Sequence, residues 1–243
     1  DVTAGCRRLP PTVTVPGAGA VAVDPSVATA YVTSGTKTVS MIATNHCNAN
    51  HPAGCTHTPP TINVGHQTFV NDSQIIAVDS PVHSVYVAGT SGFSVFDASA
   101  CNATVQSGCD KVTTAAVHNG NTTAIAVNGA TGTIYLATAP NKGPAVIDVY
   151  NAATCNGATR AGCARPVASV RFGPSGYQVE GIAVDQGTDT IYASDVGSFQ
   201  TGLAGKELYV IDGATCNATT TSGCARPPAR AAVGLSPEGV AVD

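Results

Sequence analysis

The side chains in this sequence best able to do chemistry are nine cysteines, six histidines and a recurring aspartate. Eight cysteines fall into four identical C-x7-C units: Cys47 with Cys55, Cys101 with Cys109, Cys155 with Cys163, and Cys216 with Cys224. Asn follows the first Cys of every unit, and Gly precedes the second. Two chemistries suit paired thiols. A disulfide needs only the two sulfurs, whereas a tetrahedral zinc site needs two further ligands. His46, His51 and His57 stand beside the first unit, but the other three units have no histidine nearby. A role common to all four is therefore disulfide bonding, with zinc left as an alternative at the first unit alone. Closing a nine-residue loop stabilises by roughly 2–3 kcal/mol in the chain-entropy view. Cys6 has the surroundings of a second cysteine, but its partner would fall before Asp1, so it is expected to be unpaired. Four bridges imply an oxidising compartment, hence a secreted or cell-surface protein.

Asp24, Asp79, Asp185 and Asp243 end similar short apolar runs. Such a set suggests a carboxylate ring for calcium or for acid–base work. Asn128 fills the same slot, keeping the hydrogen bond and losing the charge. That favours a turn role, because Asp and Asn bond their own backbone two residues on. No serine-nucleophile elbow, H-E-x-x-H, P-loop or EF-hand loop is present, and no cofactor or metal is expected.

The elements that position these residues repeat. Runs such as A-V-A-V-D end at Asp24, Asp79, Asn128, Asp185 and Asp243, spaced 55, 49, 57 and 58 residues apart. A second run carries Tyr31, Tyr86, Tyr135 or Tyr192. A third covers 39–42, 93–97, 145–148 and 208–212, and a fourth follows each cysteine unit. Each run is short, rich in small and β-branched residues, and bounded by turn formers, which is the pattern of strands. Four strands per period of about 50 residues is a β-propeller blade. The expected fold is all-β: four complete four-stranded antiparallel blades plus the end strands of a fifth, as part of a larger ring or array. The blades are read as 19–65, 66–118, 119–173 and 174–234. Residues 1–18 read as the last strand of a preceding blade, and 235–243 as the first strand of a following one. The first strand of each blade is expected nearest the axis with both faces buried.

The "AVD…YVA…VSVID" pattern resembles the YVTN-type, YncE-like bacterial β-propeller repeats. With its C-N-A-T-x-x-S-G-C inserts it is similar to the blade arrays of actinobacterial secreted proteins. The resemblance covers essentially the whole chain and implies the fold. It implies little about activity, because propellers host many functions.

Composition narrows the partners. Only 11% of residues are charged and the net charge is −4. No basic face exists to neutralise phosphates, so nucleic acid is not expected as a partner. No apolar run approaches the roughly 18 residues needed to span a bilayer, so membrane insertion is not expected. No leader opens the 243 residues, as in a mature or excised chain.

Loops that depart from a repeat mark recognition sites. Residues 65–74, 118–123 and 173–180 link successive blades, and 195–206 is far longer than its counterpart 34–37. On one propeller face these offer Phe69, Tyr177 and Phe199 for aromatic contact. They also offer Asn71, Asp72, Gln178, Glu180 and Asp195 for hydrogen bonds. The function expected is a non-catalytic extracellular scaffold that binds a protein or glycan partner or further copies of itself. A propeller lyase or hydrolase with a His or metal at the channel mouth is one alternative, with His66 or His118 beside Asp72 its only pairing. A structural protein whose unpaired end strands pair between chains into dimers or filaments is another. Asn71, Asn102, Asn121 and Asn217 head N-x-S/T sequons, acceptors of glycan only in a eukaryotic secretory route.

Overall fold

Short runs of Val, Ile, Thr and Tyr between turn residues form strands because branched and aromatic side chains pack well on a pleated surface. The structure, a computed structural model, describes residues 10–65, 75–90, 92–117, 120–140, 143–198 and 201–243. Within them lie four antiparallel sheets. Blade 1 comprises β1 (Ala18–Asp24), β2 (Thr29–Ser34), β3 (Thr38–Ala43) and β4 (Thr61–Asn63). Blade 2 comprises β5 (Ile76–Asp79), β6 (Ser84–Gly89), β7 (Gly92–Asp97) and β8 (Thr113–Ala116). Blade 3 comprises β9 (Gly120–Asn128), β10 (Thr133–Pro140), β11 (Ala145–Asn151) and β12 (Ala168–Phe172). Blade 4 comprises β13 (Gln178–Asp185), β14 (Thr190–Ser198), β15 (Leu203–Ala204), β16 (Glu207–Asp212) and β17 (Ala229–Ala232). In each sheet the main strands pair in chain order, so every blade is a meander. The short β15 adds a fifth strand by pairing with the end of β14, Gly197 opposite Ala204. The long connection 195–206 is thus partly sheet.

The core lies between blades. The first strands β1, β5, β9 and β13 contact one another in succession. Tyr31 of blade 1 meets Phe96 of blade 2 edge-on at 5.7 Å between ring centroids, and Phe93 of blade 2 meets Tyr150 of blade 3 at 5.2 Å. Such pairs add to the area they bury. One position of the first strand shows how burial depends on a neighbour. Ile76, Ile125 and Ile182 are 6%, 3% and 3% exposed, yet Val21 in the same slot is 60% exposed. Val23 is also exposed. The expectation of a first strand buried on both faces therefore fails for β1. Its Ala20–Ala22 face packs on blade 2, while Val21 and Val23 point away from it.

The third strand of blade 3 sits in a different register from the one its sequence suggests. Asp97 pairs opposite Ser84 and Asp212 opposite Thr190, but the residue opposite Thr133 is Asn151. The turn-forming position is thus Asn151, whose carbonyl accepts from the Ala153 N–H at 2.8 Å. Asp148, three residues earlier, lies within β11 and faces the other side, as an odd slip in a strand requires. It accepts from the Ser169 hydroxyl at 2.5 Å. Burial raises its carboxyl above the usual range, against the lowering effects of Ser169 and Arg171.

Of the segments read as end strands, 1–18 and 235–243, the described residues 10–17 and 235–243 carry no strand, and Ala18 already belongs to β1. A strand requires a ladder of backbone hydrogen bonds, and these segments take part in no sheet ladder among the described residues. The C-terminal segment instead runs along blade 4, where the Ser236 N–H donates to the Gly205 carbonyl at 2.8 Å and the Ser194 hydroxyl to the Glu238 carbonyl at 2.7 Å. Cys6 lies outside the described residues.

Candidate functional site

All four cysteine pairs are disulfides, with Cα separations of 4.6–4.8 Å. Bonded sulfurs cannot serve as zinc thiolates, and no group of three His, Cys, Asp or Glu is placed to hold a metal among the described residues. The Asn after each first cysteine folds the loop. Its amide donates to the carbonyl four residues back, at 2.7–2.8 Å in every copy: Asn48 to Thr44, Asn102 to Ala98, Asn156 to Ala152, Asn217 to Gly213. Its carbonyl accepts backbone N–H groups two and three residues on, as at Thr104 and Val105. The Gly before each second cysteine is equally constrained. A Cβ at Gly54 would stand 1.8 Å from the His46 carbonyl oxygen, and one at Gly162 would stand 2.1 Å from Thr154 Oγ1. Asn102 and Asn217 are buried as well as hydrogen-bonded, so neither of those sequons is open to glycan.

These loops reach the neighbouring blade. The Tyr31 hydroxyl of blade 1 donates to the Cys101 carbonyl of blade 2 at 3.0 Å. Tyr86 of blade 2 donates to Cys155 of blade 3, and Tyr135 of blade 3 to Cys216 of blade 4, both at 2.8 Å. Two residues before each tyrosine, a hydroxyl oxygen accepts an N–H of the same loop: Ala103 to Thr29, Gly157 to Ser84, Ala218 to Thr133, at 2.9–3.2 Å. Every blade junction thus carries a two-point latch, a Ser/Thr-x-Tyr pair gripping a Cys-Asn-Ala/Gly loop. The three tyrosines are fully buried, and burial raises their phenols well above the ordinary value. The loop is therefore more than the local staple its spacing suggests.

The recurring aspartates act in the turns after the first strands. Asp24 accepts the Ser26 N–H at 2.9 Å, Asn128 the Ala130 N–H at 3.0 Å, and Asp185 the Gly187 N–H at 2.9 Å. They also bridge blades: the Ser80 hydroxyl donates to Asp24 at 2.9 Å, and the Asn128 amide to Asp189 at 3.1 Å. Asp79 is the exception. It is 2% exposed, and neither carboxylate oxygen has a hydrogen-bond partner among the described residues. Burial raises its carboxyl above the usual range. The folded state therefore favours the neutral acid. Its contribution is most favourable below the unfolded carboxyl range and is lost as pH rises through the higher folded value. Replacing Asp79 by Asn, the residue already in that slot at Asn128, is expected to stabilise the chain by about 1 kcal/mol at pH 7. The gain should vanish at pH 3, as melting curves at the two pH values will read.

On the opposite face, blade 4 carries a cup of about 780 Å³. It is lined by the blade-linking turn at Gly173, Pro174 and Tyr177, and by Asp195, Leu203, Lys206, Glu207, Tyr209, Arg230 and Leu235. Gly173 takes φ +74°, a backbone that favours glycine, and a Cβ there would press the Tyr209 hydroxyl at 3.4 Å. Tyr209 stacks obliquely on Phe172 at 4.3 Å, and burial followed by the Glu207 contact raises its phenol. Arg230 pairs with Glu207 at 3.1 Å on the rim. Asp195 is 3% exposed, is capped by the Gly197 N–H at 2.8 Å, and is raised by burial. Of the binding residues expected from sequence, Tyr177 and Asp195 meet in this cup. Gln178 and Glu180 lie half-buried at the start of β13 and do not line it. Phe69, Asn71, Asp72 and Phe199 lie outside the described residues, as do His66 and His118 of the expected catalytic pairing. Lys206 ends the connection 195–206 singled out in the sequence, though it was not named as a contact, and Tyr209, Arg230 and Leu235 were not anticipated. Tyr209 and Arg230 come from the third and fourth strands, where the repeat pattern hides any departure.

A second hollow of about 690 Å³ lies beside the first disulfide loop, lined by His46, His51, His57, Met41, Ile42 and several prolines. The three histidines thus share one apolar hollow without converging as ligands.

No protein-family model matches the chain, and no curated protein matches it. Solved structures do. The β-propeller domain of Cps50 (Swd1) from Myceliophteria thermophila superposes with a TM-score of 0.51 at 10% identity, over 92% of this chain and 58% of that one. U3-55K gives 0.51 at 11% identity, over 80% and 48%. A chain of the Mitotic Checkpoint Complex gives 0.54 at 12% identity, over 82% and 48%. This chain spans about half the length of the structures it matches. Identities this low establish shared fold alone, and that fold is the β-propeller.

Proposed function

We propose that this β-propeller is an extracellular, disulfide-stapled scaffold that recognises a protein partner through the cup of blade 4. The observation that carries the reading is the meeting of two connections that depart from the repeat, the turn at Tyr177 and the extended hairpin of β14 and β15, over one concave surface. Leu203 and Leu235 are 58% and 70% exposed at its rim, beside Tyr177 and Arg230. Aromatic and arginine anchors among exposed leucines suit a protein surface better than a sugar, which needs denser hydrogen bonding. The four disulfides support an oxidising compartment, and no helix among the described residues is long and apolar enough to cross a membrane. The resemblance of the repeats to YVTN-type bacterial blades supports a secreted bacterial origin.

Immobilised chain exposed to culture-supernatant proteins and to cell-wall glycans tests this. A protein ligand is expected to be retained. Tyr177→Ala and Leu235→Ala should each weaken its binding by about tenfold, the scale of an interface anchor, without shifting the melting temperature by more than about 2 °C. Retention of glycans alone, or a bound protein indifferent to both changes, refutes the reading.

A further inference from the structure

The turn after the first strand is capped in blades 1, 3 and 4 and uncapped in blade 2. Asp24, Asn128 and Asp185 each accept the N–H two residues on, from Ser26, Ala130 and Gly187. Two residues on from Asp79 stands Pro81, which has no N–H to give. A second donor is absent as well. The residue after Asp79 reaches back to the preceding blade, where the Ser80 hydroxyl donates to Asp24 at 2.9 Å. The residue placed to do the same for Asp79 is Gly129 of blade 3, which has no side chain. The Asn128 amide beside it donates to Asp189 of blade 4 instead. Asp79 is therefore 2% exposed with two oxygens that accept no hydrogen bond among the described residues, and Asp24 Oδ2 in the adjoining turn is buried in the same condition. Burial raises the Asp79 carboxyl above its usual range, and the nearby Val82 N–H opposes that only in part. No cationic side chain pairs with either acid: the one ion pair among the described residues joins Arg230 to Glu207. An oxygen of blade 4 approaches the same place. A Cβ on Gly129 would stand 3.8 Å from Asp79 Oδ1, 3.8 Å from Gln186 Oε1 and 3.5 Å from Pro81 Cγ. The space beside Gly129 thus admits a small group, with two side-chain oxygens at its edge.

We infer that Asp79 anchors a calcium ion among the first-strand turns of blades 2, 3 and 4, with Gln186 as a second protein ligand. Carboxylate and amide oxygens, completed by water, are a hard oxygen-only set. Calcium takes such a set in irregular geometry, whereas magnesium demands a near-ideal octahedron. Neither thiolate nor imidazole is needed, so a cluster of three His, Cys, Asp or Glu is not required. The ion takes the place of the proton that burial otherwise favours on Asp79. Asp24 and Asp185 keep their turn role, and the repeated acid turns ligand only where its turn supplies no donor. The site draws on no residue near either end of the chain. It lies on the face of the disulfide loops and does not rest on the cup or on a protein partner.

Melting curves in about 10 mM calcium and in EDTA, with calorimetric titration of calcium, test it. At a dissociation constant of about 10⁻⁴–10⁻³ M, the range of extracellular calcium modules, calcium is expected to raise the melting temperature by about 3–10 °C over EDTA. Magnesium at the same concentration should give a clearly smaller shift. Asp79→Asn should abolish binding and shift alike, while melting above the parent in EDTA. Gly129→Ala keeps the carboxylate but puts carbon into the space, at ordinary contact distances. It should lose most of the calcium shift while melting in EDTA within about 2 °C of the parent. Asp185→Asn, at a turn acid with its own donors, should bind calcium as the parent does. No calcium-dependent shift in the parent overturns the inference. So does a shift that survives Asp79→Asn or Gly129→Ala, or one that Asp185→Asn removes as fully, which points to a diffuse acidic surface.

Discussion

Replacing Tyr86 by Ala is expected to destabilise the chain by about 3–5 kcal/mol, the scale for removing a large buried ring. Tyr86 is 0% exposed between blades 2 and 3, and its hydroxyl bonds the Cys155 carbonyl at 2.8 Å. The loss combines vacated volume with a buried carbonyl left without its donor. Tyr86→Phe separates the two. It keeps the ring and removes only the hydroxyl, so about 1–2 kcal/mol should be lost. Tyr192→Phe is the internal control. The hydroxyl of the same residue type in the same register has no hydrogen-bond partner among the described residues, so its effect should stay within about 0.5 kcal/mol. Denaturant titrations of the three variants read all of this. Equal losses for Tyr86→Phe and Tyr192→Phe mean that the hydroxyl does not latch blades. Since a domain is stable by only about 5–15 kcal/mol, the alanine variant should melt far below the parent.

The disulfides should differ in worth according to what they hold. Each closes nine residues, so the chain-entropy contribution is about 2–3 kcal/mol for every bridge. The loop at Cys155 also presents the carbonyl that Tyr86 grips and the Gly157 N–H that Ser84 accepts at 2.9 Å. A Cβ on Gly157 would stand 2.5 Å from the Asp97 backbone, so the fit across this junction is tight. Cys155→Ser with Cys163→Ser should therefore cost the entropic term plus about 1–2 kcal/mol from a loosened latch. Cys47→Ser with Cys55→Ser should cost the entropic term alone, because no Tyr or Ser/Thr hydroxyl latches that loop among the described residues. Melting curves of the two double variants give the difference directly. Identical losses leave the loops as local staples only.

These numbers bear on function through rigidity. A recognition cup shared by two connections holds its shape only if the sheet beneath it stays fixed to its neighbour. The Tyr135–Cys216 latch ties blade 4 to blade 3 on the face opposite the cup. The blade provides the frame, and departures from the repeat are free to carry recognition.

The four-blade organisation and the disulfides were legible in the amino-acid order because both are local. Strand alternation, turn chemistry after Asp24 or Asn128, and a cysteine eight positions from its partner all express themselves within one repeat. The recurrence of Asn after the first cysteine and Gly before the second was visible too, and the loop clamp and the close approaches of Gly54 and Gly162 explain it. Asp148 shows where local pattern misled. Setting the run 145–148 beside 93–97 and 208–212 puts Asp148 level with Asp97 and Asp212, yet the constant four-residue step from Asp97 to Cys101 and from Asp212 to Cys216 marks Asn151 instead. What only the folded arrangement decided is which side chains touch across blades. Tyr31 and Cys101 are 70 residues apart, Tyr86 and Cys155 69, and Tyr135 and Cys216 81. No pattern within one repeat marks such a pair. Exposure at Val21 and Tyr192 likewise depends on what packs against them, which a pattern shared by every repeat cannot encode. Burial is a property of two surfaces, and a sequence describes one at a time.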